Sequence, residues 1–346
     1  MTAYSPALDG TRGNATVDLN ADSAPILFVV VDTEEEFDWS APFSRTAWGV
    51  SAMRHIGRAH RIFARYNVKP TYVIDYPIAT KPDGYRPLQE LLQAGECTIG
   101  AHLHPWVNPP FDEELGVRAS FACNLGIELE YAKLRMLHAA ILENLGVDAR
   151  IYKAGRYGFG RTSLDALERL QFEIDLSIIP HLDFGNEGGP SFTAFDAAPF
   201  FFGSHPTILE IPCTAGYVGL AGEWGPALNK FASQPAARTV HLMGVLTRLG
   251  ITNRIVLSPE GHSLAEMRAL TRELLSRGIR AVTLTFHSPS VCPGHTPYVR
   301  SARELDAFLS TIEAYCDFFF GTLGGISMTP YEFRSRTLES MFASVE

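Results

Sequence analysis

The chain of 346 residues is acidic, with a formal net charge of −9, and it contains 46% hydrophobic and 19% charged residues. This composition is typical of a globular protein with a sizeable core, and the negative charge argues against a nucleic acid or an anionic membrane as partner. The five cysteines are scattered without any CxxC pair, which argues against a disulfide framework or a cysteine zinc knot. Because no apolar segment follows a basic start and no run of 18 apolar residues occurs, we expect a cytoplasmic chain without a membrane span.

Short apolar runs alternate with helical patterns along the chain, which predicts a parallel α/β architecture. A polar segment, residues 1–24, precedes the first run and is predicted to be a flexible leader. Two stretches, 180–206 and 214–229, interrupt the alternation where the loops of a β/α barrel would lie. Strands are predicted at 26–31, 71–75, 97–102, 151–154, 173–178, 208–211 and 281–287, and helices at 53–66, 88–93, 134–145, 163–170, 263–278 and 301–318.

Four carboxylates stand in the segment Asp32-Thr33-Glu34-Glu35-Glu36, directly after the first predicted strand. Carboxylates repel one another at the end of a buried strand, and a metal ion or a shared proton relieves that repulsion. The carboxyl ends of strands are also where parallel α/β folds build active sites. The segment therefore indicates a functional site, while a solvated loop or the acidic first turn of a helix would explain the same residues.

Two histidines, His102 and His104, lie at the end of the strand predicted at 97–102. In an extended backbone, residues i and i+2 share a face, so both imidazoles can point at one ion. Two imidazoles and one carboxylate form the three-ligand set of a catalytic zinc site, which leaves a position open for water. The alternative is a pair of loop histidines next to a Pro-Trp turn.

A third histidine, His287, ends the strand predicted at 281–287, where it is either catalytic or structural. The segment Gly155-Arg156-Tyr157 follows another strand, and the guanidinium of Arg156 can hold a carboxylate with two hydrogen bonds. This segment lacks the spacing of phosphate and dinucleotide loops. The GxSxG pattern is also absent, which argues against a serine hydrolase.

Together these segments resemble the polysaccharide deacetylases of the NodB-homology superfamily (carbohydrate esterase family 4), and most closely their WalW-like branch. The resemblance runs from about residue 25 to about residue 325, and it implies a single irregular, distorted β/α barrel of about seven strands. We therefore assign residues 1–24 to a leader, 25–325 to the barrel and 326–346 to a C-terminal tail. The matching segments are Asp32-Thr33-Glu34, His102-Leu103-His104-Pro105, Gly155-Arg156-Tyr157, Asp183-Phe184 and Leu284-Thr285-Phe286-His287.

The resemblance implies a divalent metal ion, zinc or alternatively cobalt or nickel. Its ligands would be Glu34, His102 and His104, with Glu35 as an alternative to Glu34. The family usually has a second aspartate where this chain has Thr33, and its two histidines are usually four residues apart, whereas here they are two apart. Relatives that hydrolyse cyclic amides without a metal also exist.

The resemblance also assigns catalytic roles. Asp32 would be the general base, ionised and oriented by Arg156, and His287 would be the general acid, with Asp183 as its partner. The backbone N–H of Tyr157 would help to stabilise the oxyanion.

The function implied is metal-dependent removal of an N-acetyl group from an amino sugar of a surface polysaccharide or of its precursor. The carbohydrate would be the partner of the chain. Two alternatives are a hydrolase of another linear or cyclic amide, and a catalytically inactive carbohydrate-binding barrel.

Overall fold

The computed structural model describes residues 15–17, 19–20, 22–203, 207–220, 224–225, 228 and 251–343. Its strands are β1 (Ala15–Thr16), β2 (Ile26–Thr33), β3 (Thr71–Ile74), β4 (Thr98–Leu103), β5 (Ile151–Ala154), β6 (Ile174–Asp175), β7 (Phe200–Phe202), β8 (Ile208–Glu210), β9 (Ala215–Val218), β10 (Asn253–Val256), β11 (Ala281–His287) and β12 (Ile326–Ser327). Its α-helices are α1 (Gly57–Arg65), α2 (Tyr76–Thr80), α3 (Pro82–Gln93), α4 (Ile127–Leu145), α5 (Arg161–Arg169), α6 (Leu264–Ser276), α7 (Ala302–Cys316) and α8 (Pro330–Ala343).

The main sheet is a curled half-barrel with the strand order β1-β7-β8-β6-β5-β4-β3-β2-β11. From β8 to β11 along this path, every neighbouring pair of strands is parallel, which gives seven parallel strands. An antiparallel pair of strands, β9 and β10, lies beside β11, since the backbone N–H of Thr285 donates to the carbonyl of Leu257 just after β10. The predicted fold class, an irregular β/α barrel, is confirmed.

Strand β2 shows how the core is divided, since all eight of its residues are buried. Alternation along the strand places Ile26, Phe28 and Val30 on the inner face of the half-barrel and the residues between them on the outer face, under the helices. Helix α8 covers the inner face from below, with the Phe333 ring 5.2 Å from that of Phe28. Asp32 continues the inner series, so its carboxylate points into the half-barrel at the carboxyl end of the strand.

Both segments that the sequence analysis placed outside the barrel contribute to the sheet. Strand β1 pairs with β7, and β12 pairs with β2. Residues 1–14, 18 and 21 of the predicted leader lie outside the described residues, as do several residues of the two predicted loops. The exact domain boundaries stay a prediction. Among the described helices, none combines the length and the apolar character that crossing a membrane requires.

Candidate active site

The carboxyl ends of β2, β4, β5 and β11 meet at one cleft of about 460 Å³. Parallel pairing sets this arrangement, because His287 lies in register with Asp32, and Lys153 in register with His102. The sequence-predicted site residues Asp32, Glu34, His102, His104, Arg156, Tyr157 and His287 all line the cleft, together with Phe37, Trp39, Ala41, Phe43, Trp106, Val117, Lys153, Ala154, Phe184 and Tyr298.

Glu34, His102 and His104 form a buried cluster in which the ligand atoms lie within 4.8 Å of one another. The Oε2 atom of Glu34 is 3.4 Å from Nε2 of His104 and 3.6 Å from Nε2 of His102. Burial raises the pKa of Glu34, but His287 and the two other imidazoles more than offset this, so the net shift is downward. The carboxylate is therefore ionised at neutral pH.

The other ring nitrogen of each histidine has an acceptor. Nδ1 of His102 lies 3.0 Å from the backbone carbonyl oxygen of Lys153, and Nδ1 of His104 lies 2.7 Å from Oε2 of Glu35. A carbonyl oxygen only accepts, so Nδ1 of His102 carries a proton, and in the neutral ring Nε2 then presents a lone pair. When both rings are neutral with the proton on Nδ1, two Nε2 lone pairs and a carboxylate oxygen converge, and this ligand set fits a divalent cation such as zinc.

Two local features hold His104 in place. A Cβ atom at position 155 would lie 2.3 Å from Cδ2 of His104, so only a glycine allows the turn after β5 to pass this close to the ring. The Trp106 ring stacks on the imidazole with centroids 4.3 Å apart. Glu35, the alternative ligand in the sequence analysis, lies on the Nδ1 side of His104 rather than beside Glu34, and burial raises its pKa to about 7.

Lys153 holds Asp32, because its Nζ atom is 2.5 Å from Oδ1 and 2.7 Å from Oδ2 of that carboxylate. Burial raises the pKa of Asp32, but the charge of Lys153, with smaller contributions from His102 and His287, brings it below the ordinary value. The aspartate is ionised and held at both oxygens.

The prediction that Arg156 would pair with Asp32 is wrong. Arg156 adopts a φ of 53° in the turn after β5, which directs its side chain to another wall of the cleft. There it donates to Ser120 and Glu187 and lies over the Phe121 ring at 4.5 Å. Lys153, which lies on β5 and not in the turn after it, points into the half-barrel and reaches Asp32.

Glu260, and not Asp183, is the partner of His287. Its Oε2 atom is 2.7 Å from Nδ1 of His287, and its Oε1 atom accepts from the backbone N–H of His287 at 3.1 Å and from Ser290. Asp183 is exposed and accepts from the backbone N–H of Gly185, so its predicted role as the partner of His287 is wrong. Asp183 forms an isolated antiparallel β-bridge with Ser191, which keeps Asp183 within its own loop.

Burial lowers the pKa of His287, but Glu260, Glu34 and Asp32 raise it to about 10. Its Nε2 atom lies 3.9 Å from Oδ2 of Asp32, facing the same part of the cleft as the Glu34 cluster. A carboxylate and a protonated imidazole thus stand together beside the candidate metal ligands.

Sequence reasoning missed Lys153 and Glu260. A lysine inside the apolar strand Ile151–Ala154 is a signal that could have found the first, since a buried ammonium needs an anion. Glu260 lies 27 residues before His287, and its loop carries no pattern that indicates the contact.

Comparisons with known proteins identify the fold. No family model matches the chain, and no curated protein sequence matches it. A solved structure from Mycobacterium smegmatis, assigned as a polysaccharide deacetylase, aligns over 99% of this chain and 96% of its own with 14% identity and a TM-score of 0.53.

Two further structures align less well. A structure from Parabacteroides distasonis, assigned as a glycoside hydrolase/deacetylase, covers 91% of this chain and 70% of its own at 10% identity and a TM-score of 0.49. The Xyl-CE4 domain of a multidomain xylanase from the hindgut metagenome of Trinervitermes trinervoides covers 91% of each chain at 9% identity and a TM-score of 0.43. At these identities the comparison shows that the chain shares the fold of the Mycobacterium smegmatis structure.

Proposed function

We propose that the chain is a metal-dependent hydrolase that removes an N-acetyl group from an amino sugar of a surface polysaccharide or of its precursor. The observation that carries the proposal is the convergence of Glu34, His102 and His104 beside a paired Asp32 and His287. The fold shared with a structure assigned as a polysaccharide deacetylase supports the substrate class. A WalW-like, cytoplasmic enzyme is the form of this proposal that we favour.

Glu34, His102 and His104 would hold a divalent cation, for which zinc is the first choice and cobalt or nickel are alternatives. Such an ion, when bound, polarises an acyl carbonyl and lowers the pKa of a water molecule. Asp32 takes a proton from the attacking water, because Lys153 keeps this carboxylate ionised and fixes both of its oxygens.

His287 protonates the leaving amine. In hydrolysis, the water oxygen bonds to the acyl carbon, the carbon–nitrogen bond breaks, and acetate and a free amine are the products. Nε2 of His287 gives its proton to the leaving nitrogen while Glu260 holds the opposite ring nitrogen. The backbone N–H of Tyr157 donates to the oxyanion, and the loss of one such donor costs about 10²-fold in rate or more.

The test combines metal analysis with a panel of N-acetylated amino sugars and oligosaccharides. We expect about one zinc ion per purified chain, release of acetate from at least one sugar, loss of turnover with a chelator, and recovery with zinc or cobalt. A full complement of metal without acetate release from any sugar would favour another amide substrate or an inactive binding barrel. Turnover that is indifferent to chelation would contradict metal dependence.

A further inference from the structure

Glu35 lies behind the candidate metal cluster and contacts two N–H donors at once. We propose that Glu35 is a positioning residue that sets the tautomer of His104, and that Trp106 is the reason why only a carboxylate can do so. The inference deepens the proposed function, because the tautomer of His104 decides whether its Nε2 atom can bind the ion.

Both carboxylate oxygens of Glu35 have a ring nitrogen as partner. Its Oε2 atom is 2.7 Å from Nδ1 of His104, and its Oε1 atom is 2.7 Å from Nε1 of Trp106. The side chain is fully buried, so no bulk water can replace either partner. Each oxygen therefore faces one ring nitrogen: the indole of Trp106 donates to Oε1, and an ionised Glu35 accepts at Oε2 from Nδ1 of His104.

Asp75 anchors this arrangement to a helix. Its Oδ2 atom accepts from the backbone N–H of Glu35 at 2.7 Å, and its Oδ1 atom accepts from the backbone N–H of Ile78 at 2.8 Å, where it caps α2. Glu35, Asp75 and His104 also lie close enough together to hold an ion of their own. Because all four carboxylate oxygens face an N–H or a ring nitrogen, we interpret this group as a hydrogen-bonded support for His104.

A glutamine at position 35 could not satisfy both rings. Its amide has one acceptor oxygen and one NH₂ donor, whereas an indole nitrogen only donates. The oxygen must therefore face Trp106, which turns the NH₂ group toward Nδ1 of His104. Imidazole has a second tautomer and indole has none, so His104 moves its proton to Nε2 and loses the lone pair that faces Glu34.

Removing the indole donor should reverse this effect. In Glu35→Gln/Trp106→Phe, the amide is free to turn its oxygen toward His104, which restores the proton to Nδ1. Phenylalanine keeps a ring stacked on the imidazole, as the indole of Trp106 is, at 4.3 Å between centroids. His102 is the internal control, because its Nδ1 atom faces the backbone carbonyl of Lys153, which neither substitution changes.

Two measurements on the full chain test the proposal. Nitrogen-15 NMR of the imidazoles in metal-free protein reports the tautomer, and Zn²⁺ titration against a competing chelator reports the affinity. We expect Nδ1–H on His104 in the wild type, Nε2–H in Glu35→Gln with a zinc affinity lower by about 10-fold or more, and recovery of both in the double variant relative to Trp106→Phe. The tautomer of His102 stays the same throughout.

The inference is overturned if Glu35→Gln keeps Nδ1–H on His104, or if the double variant binds zinc no better than Glu35→Gln. Should Glu35→Gln fail to fold, the wild type still decides, because a proton on Nε2 of His104 in the metal-free wild type contradicts the inference. A wild-type chain that binds no zinc overturns the proposed function alone, since the tautomers are measured without metal.

Discussion

Two pairs of carboxylates are buried on opposite faces of the sheet, and their pKa values move in opposite directions. On the inner face, Asp32 and Glu34 have pKa values below their ordinary values although burial alone raises them. On the outer face, burial raises the pKa of Asp175 to about 6 and that of Glu210 well above its ordinary value. At most 5% of any of the four residues is exposed, so burial does not explain the difference.

The difference comes from what neutralises the charge. Asp32 has the Lys153 ammonium at both oxygens, whereas Asp175 and Glu210 take part in no ion pair with the described residues. Asp175 and Glu210 are in register on β6 and β8, and each has one carboxylate oxygen without a donor, which a proton shared between them would satisfy. A cation keeps a carboxylate ready for chemistry at neutral pH, whereas a shared proton makes it a structural group.

The largest expected effect is on turnover. Asp32→Asn removes the only paired carboxylate that the proposed mechanism uses as a base, and should lower kcat by about 10³-fold. The asparagine oxygen can still accept from Lys153, so circular dichroism should show a folded protein with bound metal. Asp38→Asn, at an exposed carboxylate on the following loop, is the matched control. Turnover within a few-fold of the wild type in folded, metal-loaded Asp32→Asn would contradict the base assignment.

The next effect is on stability. Lys153→Met leaves the Asp32 carboxylate buried without its cation, which should lower the free energy of unfolding by about 3–5 kcal/mol at pH 8. The loss should shrink at acid pH, where Asp32 becomes protonated. Denaturant titration of Lys153→Met and of Asp32→Asn/Lys153→Met measures both effects. An equal loss in the single and the double variant would show that Lys153 acts through packing and not through its charge.

Asp32 and Lys153 also show which parts of the site can be predicted from the sequence alone. Asp32, His102 and His287 were predicted as a group because each ends an apolar run, and the carboxyl ends of parallel strands meet at one edge. Such a pattern is local to each strand. The contact of Lys153 with Asp32 joins residues 121 positions apart, on strands β5 and β2 that are separated in the sheet by β4 and β3, and no local pattern reveals it.

The secondary structure shows the same contrast between what local patterns predict and what they miss. The strands at Ile26–Thr33 and Ala281–His287 were predicted from their apolar runs, and the extra turns of α3 and α4 lie at helix ends, where patterns are weak. Strands β7 and β9 fell within stretches interpreted as loops. Strand β7 pairs antiparallel with β1 and β8, and β9 pairs antiparallel with β10, so the tertiary partners and not local periodicity make these segments strands.

A smaller effect is expected from the proton-sharing pair. Because the folded pair binds a proton more tightly than the unfolded chain, the stability of the wild type should fall as pH rises from about 4.5 through about 6 and beyond. Glu210→Gln supplies a permanent donor to Asp175 and should remove this dependence, making the variant more stable than the wild type by about 1–3 kcal/mol at pH 8. Denaturant titrations at pH 5 and pH 8 measure it. Parallel pH profiles for the two proteins would contradict a shared proton.

The smallest effect concerns His287, on the inner face, where neighbouring carboxylates stabilise a protonated imidazole. Its pKa is raised to about 10 with Glu260 as the largest favourable cause, so this imidazolium contributes stability that is present below about pH 6.5 and is lost as pH rises through about 10. Glu260→Gln removes the carboxylate charge and should lower the His287 pKa by one unit or more, about 1.4 kcal/mol per unit.

Asp183→Asn separates this contact from the one that the sequence suggested, because Asp183 is exposed and bonded within its own loop. NMR titration of His287 in metal-free protein should show the wild-type pKa in Asp183→Asn and a lowered pKa in Glu260→Gln. If Asp183→Asn lowers the pKa instead, the loop that carries it must reach His287 in solution. The high-pH limb of kcat should follow the same order, since the imidazole that protonates the leaving amine must still hold its proton.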